Sequence, residues 1–430
     1  MPELHLTGVA IAGRPGLVDI LVRGARIAAI TPVPATVAGS SGPQADVVLP
    51  GLVDLHTHLR QPGGEEAETI DSGTRAAAAG GFTDLFAMAN TSPVTDSVDR
   101  VERVRAWART AAARVHPVAA ATIGLAGRDL VDVDRLADAG VTVFSDDGRC
   151  VDDAALVLSL LRAMARRGGV FAQHAQSHSI VRDGVVNARV AGDLGVPGWP
   201  GEGEQAVIGR DLALAAATGG RLHVCHVSTA GAVELVRAAR RAGLPVTAEV
   251  TPHHLVLTDT DAVRQGPALK VNPPLRTDHD VRAVRAALLD GTIDIVATDH
   301  APHPARTKAG SWQEAAFGLT SLETALAVTA EVCTDGTSVD WAAVARVLST
   351  RPAEIGQIGG QAGRPVEAGG PATFCVVRRS PWRVDPADRV SRSANTPFAG
   401  REFQHRVVLT VLDGRITHDS RGDRARPCPA

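Results

Sequence analysis

Eight short apolar runs along the middle of the chain, separated by helical patterns or loops, constrain this sequence more than any other feature. They fall near 50–56, 82–89, 115–122, 141–145, 169–173, 221–227, 245–250 and 292–298. Runs of this length bounded by turn residues are strand-like, whereas 71–79, 96–113, 152–167, 204–218, 230–242 and 278–289 carry helical patterns. Strands alternating with helices build a parallel sheet, because a parallel connection must cross back over the sheet. Eight is the number that closes a (β/α)8 TIM barrel. An open doubly wound sheet is the competing arrangement, but no Gly-x-Gly-x-x-Gly follows the first run, which weakens its dinucleotide-binding form.

The two chain ends have a different texture. Residues 17–22 and 25–30 flank a short Arg-Gly turn, and a Gly/Ser/Pro-rich loop follows. Residues 372–377 and 407–412 also read as strands, with Asp413-Gly414 as a turn. The expectation is an α/β chain in which 49–363 form the barrel. Residues 1–48 and 364–430 then make up one small β-sandwich domain from both ends.

Composition excludes several classes. A net charge of −3 gives no electrostatic footprint for nucleic acid or an anionic membrane. No run approaches the roughly 18 apolar residues of a membrane helix. The first residues lack the basic and apolar regions of a signal peptide, so a cytoplasmic enzyme is expected. The five cysteines are scattered without a Cys-x-x-Cys pair, which indicates neither a disulfide framework nor a thiolate zinc site. Lysine occurs only at Lys270 and Lys308.

Chemistry-bearing residues sit where the apolar runs end. The first run closes in His56 and His58, whose i, i+2 spacing puts both side chains on one face of a strand, and Arg60 follows. Asn90 follows the second run and Asp146-Asp147 the fourth; the fifth ends in His174, the sixth in His226, and the last in Asp299-His300. In a barrel all these ends meet at the face where such folds do their chemistry. Imidazole and carboxylate ligands without thiolates suit Zn²⁺. Two ions about 3.5–4 Å apart can hold a bridging hydroxide and polarise a carbonyl oxygen.

The pattern resembles the amidohydrolase superfamily and, more closely, bacterial type I dihydroorotases. The matching pieces are the segments 54–60, 89–91, 144–148, 225–228, 251–255, 269–276, 297–303 and 393–400. The Asn-Pro-Pro-Leu-Arg at 272–276 and the Thr-Asp-His-Ala-Pro-His at 298–303 are the most specific. The resemblance implies two Zn²⁺ ions, one held by His56, His58 and Asp299 and the other by His174 and His226. Many relatives bridge the metals with a carboxylated lysine, but neither lysine of this chain lies on the strand that would supply it. In the type I pattern an aspartate takes that place. Asp147 is preferred over Asp146, although alternation alone does not separate them.

The implied reaction is reversible hydrolysis of a ring amide, interconverting L-dihydroorotate and N-carbamoyl-L-aspartate in pyrimidine biosynthesis. Asp299 would act as general base and then general acid. Arg60, Asn90 and His303 would clamp the substrate carboxylate beside His58. Asn272 and the backbone of Phe317 and Gly318 would read the ring amides. His253, His254, His300 and Asp54 are expected as supporting or packing residues. The loop 303–318 is expected to be mobile until substrate binds.

Hydantoinase (dihydropyrimidinase) and allantoinase share the barrel and metals but normally use the carboxylated lysine. Catalytically inactive dihydroorotase-like chains serve as structural partners of aspartate transcarbamoylase. Those chains usually lose metal ligands, which this chain retains. The resemblance admits aspartate transcarbamoylase as a partner, and a homo-oligomer.

Overall fold

The computed structural model describes residues 3–34 and 45–422. The Gly/Ser/Pro-rich loop at 35–44 and Cys428 lie outside the described residues. Each of the eight apolar runs contains a strand: Leu52–Thr57, Phe82–Ala87, Arg114–Pro117, Val143–Phe144, Val170–Gln173, Arg221–Val224, Val246–Val250 and Ile295–Val296. The first three pair in parallel, and so do the last five. Single parallel bridges join the two groups, Ala119 to Phe144 at one side and Thr57 to His300 at the other. The pairings therefore run through all eight strands in chain order and return to the first.

The connecting helices start and stop on local chemistry. Asp153 accepts hydrogen bonds from the N–H groups of Ala155 and Leu156, opening the helix Ala154–Arg167, and Gly168 at φ 75° closes it. That helix buries Val157, Leu160, Leu161 and Met164, the one-sided i, i+3, i+4, i+7 stripe of a helix on a sheet. Thr277 and Asp280 form a reciprocal capping box at Asp278–Leu289. Beyond the eighth strand the chain adds Ala325–Val332 and then Trp341–Ala345, a π-turn and Arg351–Ile355. The sequence reading missed these helices. Ala325–Val332 is buried almost all round, so it lacks the polar face that periodicity detects.

The chain ends form a seven-stranded sheet in the order Arg415–Asp419, Glu402–Leu412, Phe374–Arg383, Val47–Pro50, Glu3–Ile11, Leu17–Arg23, Arg26–Pro32. A sandwich was the expectation here. One continuous sheet is found instead, because Val47–Pro50 pairs with Glu3–Ile11 on one side and Phe374–Arg383 on the other. Strand alternation gives its central strands two cores. Val48, Phe374 and Val376 pack with Ile20, Val22 and Val411, whereas Val47, Leu49, Cys375 and Val377 join the main core with Leu52 and Phe82.

Gly51 alone separates Val47–Pro50 from the first parallel strand. A Cβ there would lie 2.3 Å from Thr83 Oγ1, so only glycine fits this joint. Among the described residues no helix is long and apolar enough to cross a membrane.

Candidate metal and substrate site

The strand ends bring the expected residues together. His56 and His58 leave the first strand on the same side, and both are buried. His56 Nε2 lies 3.2 Å from Asp147 Oδ1 and 3.5 Å from Asp299 Oδ1. His58 Nε2 lies 3.3 Å from Asp147 Oδ2 and 3.1 Å from Asp299 Oδ1. His174 Nδ1 and His226 Nε2 face each other at 2.9 Å, and Asp147 Oδ1 is 3.3 Å from the first and 3.6 Å from the second. One carboxylate, that of Asp147, thus touches all four imidazoles. Asp146 points elsewhere: it accepts the N–H groups of Ala121 and Thr122 and the Thr122 hydroxyl, pinning the end of the third strand.

Hydrogen-bond accounting fixes which ring nitrogens carry protons. The outer nitrogens of three histidines meet side-chain oxygens: His56 Nδ1 meets Glu249 at 2.6 Å, His58 Nδ1 meets Asn90 at 2.9 Å, and His174 Nε2 meets Gln176 at 2.9 Å. Each neutral imidazole has one N–H, so the outer nitrogen donates and the inner one presents a lone pair. Lone pairs therefore converge with the oxygens of Asp147 and Asp299. His56 Nε2, wholly buried, has no hydrogen-bond partner. Facing acceptors repel unless cations lie between them. Two ligands about 2 Å from one tetrahedral ion lie about 3.3 Å apart, close to the spacings found here. The residues fit a metal group. His56, His58 and Asp299 form one compact donor set, and His56, Asp147 and His226 another.

Without a cation, protons take its place. Burial disfavours the imidazolium of His56, but the charges of Asp147, Glu249 and Asp299 outweigh it and hold its pKa well above the ordinary value. Burial likewise opposes ionisation of Asp299, yet His56 and His58 hold its carboxyl down to about 2.

The backbone turns sharply where side chains must be aimed inward. Arg60, His226 and Asp299 have φ of 60°, 35° and 43°, conformations costing non-glycine residues of order 1–3 kcal/mol each. Asp54 supports this geometry: it accepts the Thr298 N–H at 2.9 Å and the hydroxyls of Thr298 and Thr57, tying the first strand to the end of the eighth.

Beside this centre lie the groups expected to hold substrate. Arg60 donates to the Pro302 carbonyl at 3.2 Å and lies 3.3 Å from His303 Nε2. Among the described residues it makes no ion pair with Asp or Glu, which leaves a partly buried guanidinium beside His303. Burial, then the Arg60 charge, push the His303 imidazolium down to about 3, so His303 is neutral. Its Nε2–H donates to the Phe317 carbonyl at 2.7 Å. Asn272 donates to Gln176 at 3.0 Å, while its Oδ1 is buried with no partner.

Phe317 and Gly318 are near, but most of their backbone groups are occupied. The Gly318 N–H donates to the Lys270 carbonyl, and the Gly318 carbonyl accepts from Lys308 and Asn395. His254 is held by Thr251 and the Pro273 carbonyl, and His300 accepts from the Ser321 N–H, as supporting residues do. Both ring nitrogens of His253 are buried without a partner.

Five residues of this neighbourhood escaped the sequence reading: His223, Glu249, Gln176, Asn395 and Lys308. A charged residue within the apolar run at 245–250 was the available signal for Glu249. Lys308 and Asn395 act through backbone groups, which leave no sequence signature. Lys308 Nζ donates to the carbonyls of Lys270, Ala316 and Gly318 at 2.8–3.0 Å. Burial and then Lys270 push its ammonium down to about 7, whereas the three carbonyls favour the charged form. Asn395 accepts the His303 N–H and donates to the carbonyls of Ala301 and Gly318.

The 303–318 loop thus has several ties in the conformation described. Lys308→Met is expected to speed amide hydrogen exchange across it. The same change should raise KM by roughly tenfold, about 1.4 kcal/mol of lost anchoring. Unaltered exchange in the variant would show that the lysine does not hold the loop.

Known proteins are similar to this chain over most of its length. A model of the dihydro-orotase-like family matches residues 45–232. The dihydroorotase of Streptomyces coelicolor is 50% identical over 406 residues, covering 93% of this chain and 94% of that one. That of Mycobacterium tuberculosis is 43% identical over 422 residues, covering 96% and 97%. Among solved structures, the L-hydantoinase (dihydropyrimidinase) of Arthrobacter aurescens superimposes with a TM-score of 0.84 at 24% identity, over 98% of this chain and 97% of that one. At that identity the likeness shows the fold alone.

These relatives place the chain in the class of cyclic-amide hydrolases. Within that class the chain belongs to the dihydroorotase family.

Proposed function

We infer that the chain catalyses the reversible ring opening of L-dihydroorotate to N-carbamoyl-L-aspartate. The observation that carries this is the unpaired Arg60 guanidinium beside a cluster of inward-facing imidazole lone pairs and carboxylates. A partly buried guanidinium without an acidic partner is free to form charge-assisted hydrogen bonds with a ligand anion. Dihydroorotate carries a carboxylate on its ring; dihydropyrimidine and hydantoin do not. This favours dihydroorotase over hydantoinase or allantoinase chemistry. The circuit of strand pairings supports a (β/α)8 barrel, which we take to span 49–363, with 1–48 and 364–430 as the accessory unit.

Zn²⁺ would suit the donor set: His56, His58 and Asp299 would hold one ion, and His174 and His226 a second, with Asp147 as their shared carboxylate. When bound, such ions polarise a carbonyl and acidify water. The remaining work falls to this chain. Arg60 fixes the substrate carboxylate through charge-assisted hydrogen bonds, helped by Asn90 and by neutral His303 once its Nε2–H turns from the Phe317 carbonyl to the substrate. Asn272 Oδ1 accepts a ring N–H, and the 317–318 segment closes over the ring. Asp299, beside His58, takes the proton of the attacking water and returns it to the departing ring nitrogen.

Arg60→Met is expected to raise KM for dihydroorotate roughly 10²-fold, with a smaller change in kcat, since a charged hydrogen-bond pair is worth about 1.5–3 kcal/mol. Unchanged affinity would remove Arg60 from the clamp. Steady-state assays on the purified chain, with dihydroorotate and dihydropyrimidine as alternative substrates, test the activity itself. Turnover of the second without the first would overturn the reading. Activity appearing only with aspartate transcarbamoylase present would mark a chain that depends on that partner.

A further inference from the structure

Behind the His56 ring lies a buried carboxylate that the reaction does not use. Glu249, on the strand Val246–Val250, is 1% exposed and pairs with no lysine or arginine among the described residues. Three donors converge on it instead. His56 Nδ1 lies 2.6 Å away, His223 Nε2 3.0 Å, and the backbone N–H of His226 3.3 Å. His223 Nδ1 in turn faces the Thr247 hydroxyl at 2.8 Å.

An ionised carboxylate only accepts hydrogen bonds, so this network has one consistent assignment. His56 carries its proton on Nδ1, His223 carries its own on Nε2, and Thr247 donates to His223 Nδ1. With a cation in the site and His56 neutral, the assignment leaves its lone pair on Nε2, the nitrogen that faces Asp147 and Asp299. The same carboxylate steadies the backbone of His226 at φ 35°, a conformation side-chain-bearing residues rarely adopt. Cys225 also comes within 4.8 Å of His56 and Glu249. No ion can be held there by His56, whose Nδ1 already donates its proton to Glu249.

We propose that Glu249 is the positioning residue of the metal centre. It sets the tautomer and aim of His56 and holds His226 in place, so one carboxylate organises ligands on both sides of Asp147. His223 and Thr247 keep Glu249 oriented from behind. The role rests on the reading of His56 and His226 as metal ligands. Hydrogen-bond partners of ligating histidines change metal affinity by about 10–100-fold when removed.

The test uses the full chain, stripped of metal and titrated with Co²⁺, whose visible absorption reports ligand geometry. Glu249→Gln keeps the volume but offers one acceptor oxygen where two imidazoles need two. Its Co²⁺ affinity is expected to fall about 10–100-fold and its visible bands to shift; the metal-free melting temperature falls with any buried acceptor lost, so affinity and spectrum carry the test. A metal-free form that melts lower, with wild-type Co²⁺ affinity and spectrum, would reduce Glu249 to a packing residue and overturn the proposal.

If Glu249→Gln does not fold, Glu249→Asp carries the same test, since its carboxylate retreats by one methylene from His56 Nδ1. Wild-type affinity in that variant also overturns the role. A wild-type chain that takes up no Co²⁺ defeats the metal-centre reading itself. Wild-type uptake with unaltered variants defeats Glu249 alone.

Discussion

Asp299→Asn is expected to reduce kcat by about 10³-fold while leaving the fold intact, because the variant keeps the shape but loses the proton acceptor. The carboxylate lies 3.1 Å from His58 and 3.5 Å from His56, and in the proposed site it is also a ligand, so metal content should fall with turnover. Two readouts separate the roles. Excess Zn²⁺ should restore occupancy, measured as bound metal per chain, without restoring kcat. Recovery of kcat with occupancy would show that Asp299 only holds the metal and moves no proton.

The adjacent aspartates give the second large effect, and it is a contrast. Asp147→Asn should abolish bound metal and activity together. Its loss in metal affinity should exceed the roughly 10–100-fold that follows removal of a residue merely hydrogen-bonded behind a ligand. Asp146→Asn should leave metal content near wild type. Instead it should cost about 1–3 kcal/mol of stability, because Asp146 accepts hydrogen bonds from Ala121 and Thr122 in a buried setting. Metal analysis and thermal melting of the two variants side by side measure this. A metal-free Asp146→Asn that melts normally would reverse the assignment.

The sequence carried much of this site, for a physical reason. Parallel strands must be apolar within and polar only at their carboxyl ends, so His56, His174, His226 and Asp299 stand out against the runs they terminate. What stayed hidden obeys no such contrast. The separation of Asp147 from Asp146 depends on where the short strand Val143–Phe144 ends, and both residues follow it. Glu249 lies inside an apolar run, where burial is expected and a partner cannot be inferred. The fourfold contact of Asp147 appears only when four strand ends are brought together. In the end unit, alternation predicted strands correctly at 17–22, 25–30 and 407–412, but it says nothing about which edges join. The continuous sheet follows from Val47–Pro50 having neighbours on both sides.

Asn395 has a consequence for the chain during its synthesis. All six proposed metal ligands lie before residue 300, whereas the side chain that pins His303, Ala301 and Gly318 comes almost a hundred residues later. Val47–Pro50 likewise waits for Phe374–Arg383 before its second edge is covered. A nascent chain therefore exposes all six proposed metal ligands before the side chain that anchors the 301–318 segment has been made.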